Sequence, residues 1–254
     1  MLQTPSGKNI LVDGGGRSEQ PNSQVVGLNV IEPILRRRGV NRLDAVVLTH
    51  PHDDHLQGLV PVVRDFSVGM VLDPALPHPS EAYTEFLSEI ERRHIPYRKA
   101  VRGQVIDFGD GVCAQVINPP MPRLSGGYDD INDNSIVLRF TYGKSSLLLT
   151  GDAGVDTESD MIASRLPLRS DVLKVAHHGS RYATSGGWLD AVQPRLAVIS
   201  VGRNNTFGHP SPDLLSRLIE HHTETKRTDI NGAVSVEFTE KGYAVHTSST
   251  SGSD

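Results

Sequence analysis

Apolar and polar positions along the chain switch repeatedly between the two-residue period of a strand and the 3.6-residue period of a helix. Residues 8–13 predict a strand, closed by Gly14-Gly15-Gly16 where the backbone must turn sharply. Over 25–38, Val26, Val30, Ile34 and Leu35 recur at helical spacing, with Gly39 as a stop signal. The apolar block 44–49 predicts a buried strand, followed by a helix entering near Asp54 and a strand over 68–72. A helix is expected from 80 to 94, with Ser80 as its cap and Tyr83, Phe86, Leu87 and Ile90 on one face. Strands then dominate, over 97–101, 104–108, 112–117, 135–142 and 145–150, with Gly109-Asp110-Gly111 and Gly143-Lys144 as turns. Alternation resumes with a helix over 157–164, a strand over 172–176, a helix over 188–192 and a strand over 196–201. A helix over 212–222 behind Ser211 and two strands over 234–238 and 243–247 close the pattern.

Alternation in both halves, with hairpins between them, predicts an α/β (α+β) architecture with helices outside two facing sheets. No Pro/Gly/Ser-rich linker divides the halves, so one domain over 1–247 is expected, followed by a polar, disordered tail over 248–254. The long loop 119–133 is of a length that often carries function.

Composition narrows the chemistry. A chain of 254 residues buries enough surface to fold without staples, and Cys113, its single cysteine, rules out an intrachain disulfide and a cysteine-based zinc framework. The net charge of -5 argues against nucleic-acid binding through overall charge. The basic clusters Arg36-Arg37-Arg38 and Arg92, Arg93, Arg98, Lys99 and Arg102 read first as solvated helix faces and loops. No apolar run approaches the roughly 20 residues of a membrane span, and the N-terminal stretch lacks the pattern of a secretion signal. The expectation is a soluble chain that does not itself insert into a membrane.

The run His50-Pro51-His52-Asp53-Asp54-His55 directly follows the apolar block 43–49. Imidazoles and carboxylates concentrated at a strand's end suit zinc and its first-row neighbours. Two further apolar strands end in candidate ligands: Leu147-Leu148-Leu149-Thr150-Gly151-Asp152, and Val172-Leu173-Lys174-Val175-Ala176-His177-His178-Gly179-Ser180. Three such strand ends converging on one edge would surround a pair of cations. His78, His94, His221, His222 and His246 read as surface residues.

Across nearly its whole length the sequence resembles the metallo-β-lactamase superfamily, and most closely the β-lactamase-like domain of ComEC-type competence DNA-uptake proteins. The residues that carry the resemblance are Thr4-Pro5-Ser6-Gly7-Lys8, Leu11-Val12-Asp13-Gly14-Gly15, Leu48 to His55, Asn134 to Leu138, Thr150-Gly151-Asp152, Ala176 to Ser180 and Gly208-His209-Pro210. The resemblance implies a four-layer αββα sandwich with a two-metal site on one rim. It implies that His50, His52, Asp54, His55, Asp152 and one of His177 and His178 bind metal, and that Asp13 organises the site from behind. Successive side chains of a strand alternate faces, so only one of the doublet should point at the metals. Similarity to phosphodiesterases of this fold assigns His178 to metal and His177 to substrate phosphate. His209, before a helix start, is either a donor to phosphate or a loop histidine capping nearby backbone.

There are departures from the family pattern. Acyl hydrolases of the superfamily usually carry a histidine in the stretch that here offers Asn132, Asp133 and Asn134. The chain also begins about where the family's first strand should end, and the membrane-spanning portion of the uptake proteins is absent, as in an excised domain or a free-standing relative.

The function implied is metal-assisted phosphodiester hydrolysis of DNA, threaded as a single strand, using two divalent ions, zinc or manganese. Asp54 would hold the attacking hydroxide in line, while His177, His209, Asn134 and Ser135 donate to phosphoryl oxygens. Lys174, Arg181 and Arg203 would contact the DNA backbone or serve as ordinary surface charge. A membrane-channel domain is the expected partner, which places the chain on the extracytoplasmic side; a free-standing relative would be cytoplasmic. The alternatives are a hydrolase of lactams, lactones or thioesters, and a non-catalytic metal-binding module of a membrane assembly.

Overall fold

A computed structural model of the protein describes residues 1–17 and 19–248, so the expected tail beyond Ser248 lies outside the described residues. The chain groups into two compact units, residues 1–101 and 102–254.

The first unit carries strands β1 (Leu2–Gln3), β2 (Asn9–Val12), β3 (Arg42–Leu43), β4 (Ala45–Val47), β5 (Ser67–Val68), β6 (Val71–Asp73) and β7 (Tyr97–Lys99). Five of them form a sheet in the order β1-β2-β4-β6-β7, and β3 pairs with β5 separately. All neighbours from β2 to β7 run parallel. Parallel strands finish at a common edge, so the segments after β2 and β4 leave the sheet side by side. The expected strand over 68–72 divides into β5 and β6, because the backbone of Gly69 turns aside to donate to Leu43 O at 2.8 Å. The helices Asp53–Leu56, Leu59–Asp65 and Glu81–Arg92 supply Leu56, Leu59, Val62 and Phe86 to the core beside Leu11, Val46 and Leu48. Ser80 caps the last of these helices, its hydroxyl accepting from Tyr83 N.

The helical segment 25–37 departs from its expected register. Its middle, Gly27–Ile31, is a π turn, which shifts the inward stripe relative to a regular helix. Gly27, Glu32 and Leu35 are buried, whereas Val30 and Ile34, two of the four apolar residues at helical spacing, are exposed together with Val25 and Leu28.

The second unit holds β8 (Val105–Asp107), β9 (Val112–Asn118), β10 (Val137–Tyr142), β11 (Ser145–Leu149), β12 (Val172–Lys174), β13 (Leu196–Ile199) and β14 (Glu224–Arg227), with a hairpin of β15 (Val234–Thr239) and β16 (Gly242–Thr247). The seven-stranded sheet runs β14-β13-β12-β11-β10-β9-β8. It is antiparallel from β8 to β11 and parallel from β11 to β14. The ends of β11, β12 and β13 therefore emerge at one edge. Trp188, Leu189, Leu214 and Leu218 pack with Leu148, Leu173 and Ala197 in this unit's core. The long loop 119–133 ends in a short helix, Asp130–Asp133, which Asp129 caps by accepting from Ile131 N and Asn132 N.

Candidate metal centre

In the first unit the geometry starts from Asp13, the residue after β2. Its carboxylate accepts from Thr49 N at 2.8 Å and Thr49 Oγ1 at 2.9 Å, and its Oδ2 lies 2.8 Å from His55 Nδ1. A carboxylate on Nδ1 keeps the proton there and leaves the lone pair on Nε2, the tautomer of a metal ligand. Thr49 extends the same logic. Its hydroxyl has given its only proton to Asp13, so towards His50 Nδ1, 3.1 Å away, it can only accept. His50 and His55, both fully or nearly fully buried, thus present Nε2 alike. The ring centroid of His50 lies 4.8 Å from that of His52 and 4.1 Å from that of His55, and Asp54 Oδ2 is 4.0 Å from His55 Nε2. Asp53, by contrast, accepts from Ser80 Oγ at 3.3 Å.

Two close backbone contacts seat this cluster. Gly14 N donates to His55 O at 2.7 Å, and Gly58 N donates to Gly15 O at 2.9 Å. A Cβ on Gly14 would stand 2.4 Å from Leu59 N, so only glycine permits the approach. His78, read from sequence as a surface residue, instead stands edge-on to His52 with centroids 5.8 Å apart, its Nδ1 accepting from Ser80 N at 3.3 Å. The one signal for it was its place just ahead of the Ser80 cap.

In the second unit, Asp152 is 3% exposed and its N–H donates to Ser135 Oγ at 3.2 Å. Thr150 Oγ1 donates to Lys174 O at 2.6 Å and ties the ends of β11 and β12 together. The alternation argument for the histidine doublet does not apply, because β12 stops at Lys174. His177 and His178 lie in a one-turn 3-10 segment with left-handed backbone, φ 48° and 53°. Both rings face Asp152: Oδ2 is 3.5 Å from His178 Nε2 and 4.0 Å from His177 Nε2. His178 Nδ1 donates to Ser200 O at 2.9 Å, and since a carbonyl only accepts, Nε2 of His178 carries the lone pair.

The turn that follows is pinned to His209's neighbours. A Cβ on Gly179 would sit 2.6 Å from Pro210 Cβ, and Ser211 N donates to Gly179 O at 2.9 Å. The His209 ring lies edge-on to His177 and stacks on Phe207, each 6.0 Å away. Burial pushes the His209 imidazole below its ordinary pKa; His177 and His178 add to the effect and Asp152 opposes it. His209 is therefore neutral near pH 7, with one N–H to donate.

The expected phosphate contacts fare differently. Asn134 is buried and its amide is committed to the loop: Nδ2 donates to Leu124 O at 2.8 Å and Asp130 O at 2.7 Å, and Oδ1 accepts from Leu124 N. It clamps the loop 119–133 rather than facing a substrate. Ser135 is fully buried and supports Asp152. Lys174 Nζ reaches Gly151 O at 3.3 Å, and Arg181 pairs with Asp213 at 3.1 Å on the surface.

The donors fit divalent cations. In the first unit three imidazoles and a carboxylate crowd together, two of the imidazoles with their lone pair on Nε2; in the second, a buried carboxylate stands beside another such imidazole. Mixed nitrogen and oxygen donors of this kind suit zinc and manganese alike.

The sequence matches the metallo-beta-lactamase superfamily over residues 1–203. It is 29% identical to ComE operon protein 3 of Bacillus subtilis (strain 168) over 238 residues, 90% of this chain and 30% of that protein. With Competence protein ComA of Neisseria gonorrhoeae the identity is 31% over 205 residues, 80% of this chain and 26% of the relative. The chain thus spans less than a third of the length of these relatives. Among solved structures, the metallo-beta-lactamase fold protein YhfI from Bacillus subtilis superposes with a TM-score of 0.51 at 14% identity, covering 86% of this chain and 83% of that one. The mixed sheets flanked by helices are those of the metallo-β-lactamase fold. The chain belongs to the metallo-beta-lactamase superfamily, is related to competence proteins and carries a candidate site for divalent metal.

Proposed function

We propose that the protein is a phosphodiester hydrolase that cuts DNA, presented as a single strand, with two divalent ions held by His50, His52, Asp54, His55, Asp152 and His178. Bound there, zinc or manganese would supply Lewis-acid stabilisation of the phosphoryl oxygens and make water acidic enough to attack near neutral pH. The chain's own residues do the rest. Asp13 and Ser200 O keep the ligand tautomers of His55 and His178. Asp54 accepts a hydrogen bond from the attacking water and aligns it with phosphorus. His177 and the neutral His209 donate N–H groups to the phosphoryl oxygens, which carry more charge in the transition state. Asn134 and Ser135 have no part in this step, since their polar atoms support the loop and Asp152.

The observation that carries the reading is the bracing of His55 and His178 through Nδ1, one by a carboxylate and the other by a carbonyl. DNA as substrate, and a membrane-channel domain as partner, are supported by the competence proteins to which the chain is similar, each more than three times the aligned length. Among the described residues no helix is long and apolar enough to cross a membrane. With such a partner the site would work on the extracytoplasmic side.

The test is hydrolysis of bis(p-nitrophenyl) phosphate and a single-stranded oligonucleotide, beside a lactam and a thioester. Both phosphodiesters should be cleaved, chelation should abolish cleavage, and added zinc or manganese should restore it. Asp54→Asn should lower kcat by about 10²- to 10⁴-fold. Full metal loading without phosphodiester cleavage, or cleavage of the thioester or lactam alone, would overturn the proposal.

A further inference from the structure

His209 is held differently from His55 and His178. Its Nδ1 is buried and has no hydrogen-bond partner among the described residues, and its ring meets those of Phe207 and His177. With no hydrogen bond at Nδ1 to turn it, the direction of the ring depends on its backbone together with these two rings. That backbone is gripped by a single side chain: Asn205 Oδ1 accepts from His209 N at 3.0 Å, and Asn205 Nδ2 donates to His209 O at 2.8 Å and to Gly202 O at 3.1 Å. A carboxamide alone among side chains of this length offers both an acceptor and a two-proton donor for such a reciprocal grip. The rest of the loop gives little support, since Thr206, Phe207 and Gly208 are exposed, Phe207 by 65%. Beyond the cluster, Ser211 N fastened to Gly179 O holds the other side.

We infer that Asn205 is the positioning residue of His209, fixing the ring that meets the phosphoryl group; the inference rests on the phosphodiesterase reading above. Asn205→Ala should lower kcat on bis(p-nitrophenyl) phosphate by about 10- to 100-fold, as loss of a supporting contact commonly does, with bound metal per chain unchanged. Asn205→Asp, which keeps only the acceptor half, should fall between. The discriminating measurement is a double-mutant cycle: in a His209→Ala background, Asn205→Ala should cost nothing further in kcat. Additive losses would mean that Asn205 acts otherwise and would overturn the inference. A second readout does not depend on activity. The side-chain NMR signal of His209 should be single and sharp in the parent and broadened or split in Asn205→Ala; an unchanged signal overturns the inference even if the protein cleaves no phosphodiester, and a changed signal in an inactive protein upholds the clamp while discarding the reaction.

Discussion

The two histidines of the doublet differ by one residue in sequence and by a hydrogen bond in chemistry. His178 donates through Nδ1 to Ser200 O, and so must accept or ligate through Nε2. Both sit in left-handed backbone, a conformation that costs about 1–3 kcal/mol at a non-glycine residue and persists only where the surroundings enforce it. Here His177 N donates to Gly151 O at 3.2 Å and Ser180 N to His177 O at 2.8 Å, which lock the turn at both ends. His178→Ala should therefore reduce bound metal per chain, measured by elemental analysis of purified protein. His177→Ala should retain the metal and lose about 10²- to 10³-fold in kcat, the range for removal of one donor to a developing oxyanion. If the two variants exchanged these outcomes, the assignment of the doublet would be reversed.

At the scale of elements, the helix Val155–Ala163 carries a buried acid, Glu158, whose carboxylate accepts from Thr184 N and from Ser185 N at 2.9 Å, where the helix Gly186–Val192 begins. Burial raises its pKa above the ordinary carboxylate value, outweighing those N–H donors and Arg217. The folded chain then holds this proton more tightly than the unfolded chain does. Its contribution to stability is fully present below the unfolded value of about 4.3 and is lost as pH rises through the raised folded value. Glu158→Gln, which never ionises, should show a flatter decline in urea midpoint as pH rises from about 4.3. Parallel pH curves for parent and variant would contradict this account.

The same elements mark what the sequence could and could not disclose. The helices over 81–92 and 212–220 were legible from a cap serine and an apolar face, and the strands feeding the ligands from their apolar runs. The edge strand β14, Glu224-Thr225-Lys226-Arg227, was missed because no residue of it is buried and its pattern is polar throughout. The π turn at Gly27–Ile31 left no periodic trace, so the helical spacing of Val26, Val30, Ile34 and Leu35 did not disclose that Val30 and Ile34 are exposed. The ligand candidates could be read as residue types at strand ends. Their tautomers could not, because Asp13 and His55, far apart in sequence, are brought together by the pairing of β2 with β4 and its backbone contacts, and His178 and Ser200 by that of β12 with β13. His78 was read as a surface residue because its neighbour His52 is distant in sequence.

For the molecule as a whole, cations that bind only the folded chain should stabilise it by mass action. At about 100 times the dissociation constant the gain is about 2.7 kcal/mol, visible as a rise in Tm on titrating zinc or manganese into metal-free protein. Asp152→Asn should reduce that rise, while Arg181→Ala, which breaks only a surface pair with Asp213, should leave it intact. A Tm indifferent to both metals would argue against the cation set.

The contact of Gly14 with the start of the helix Leu59–Asp65 has a further consequence. With no space for even a methyl group, the turn bearing Asp13 and the turn bearing His55 are mechanically one part. A bulky residue at position 14 should therefore spoil the tautomer of an imidazole forty-one residues away (55 minus 14) without touching any ligand. Such a variant would resemble a lesion in the metal cluster while every coordinating side chain remained in the sequence.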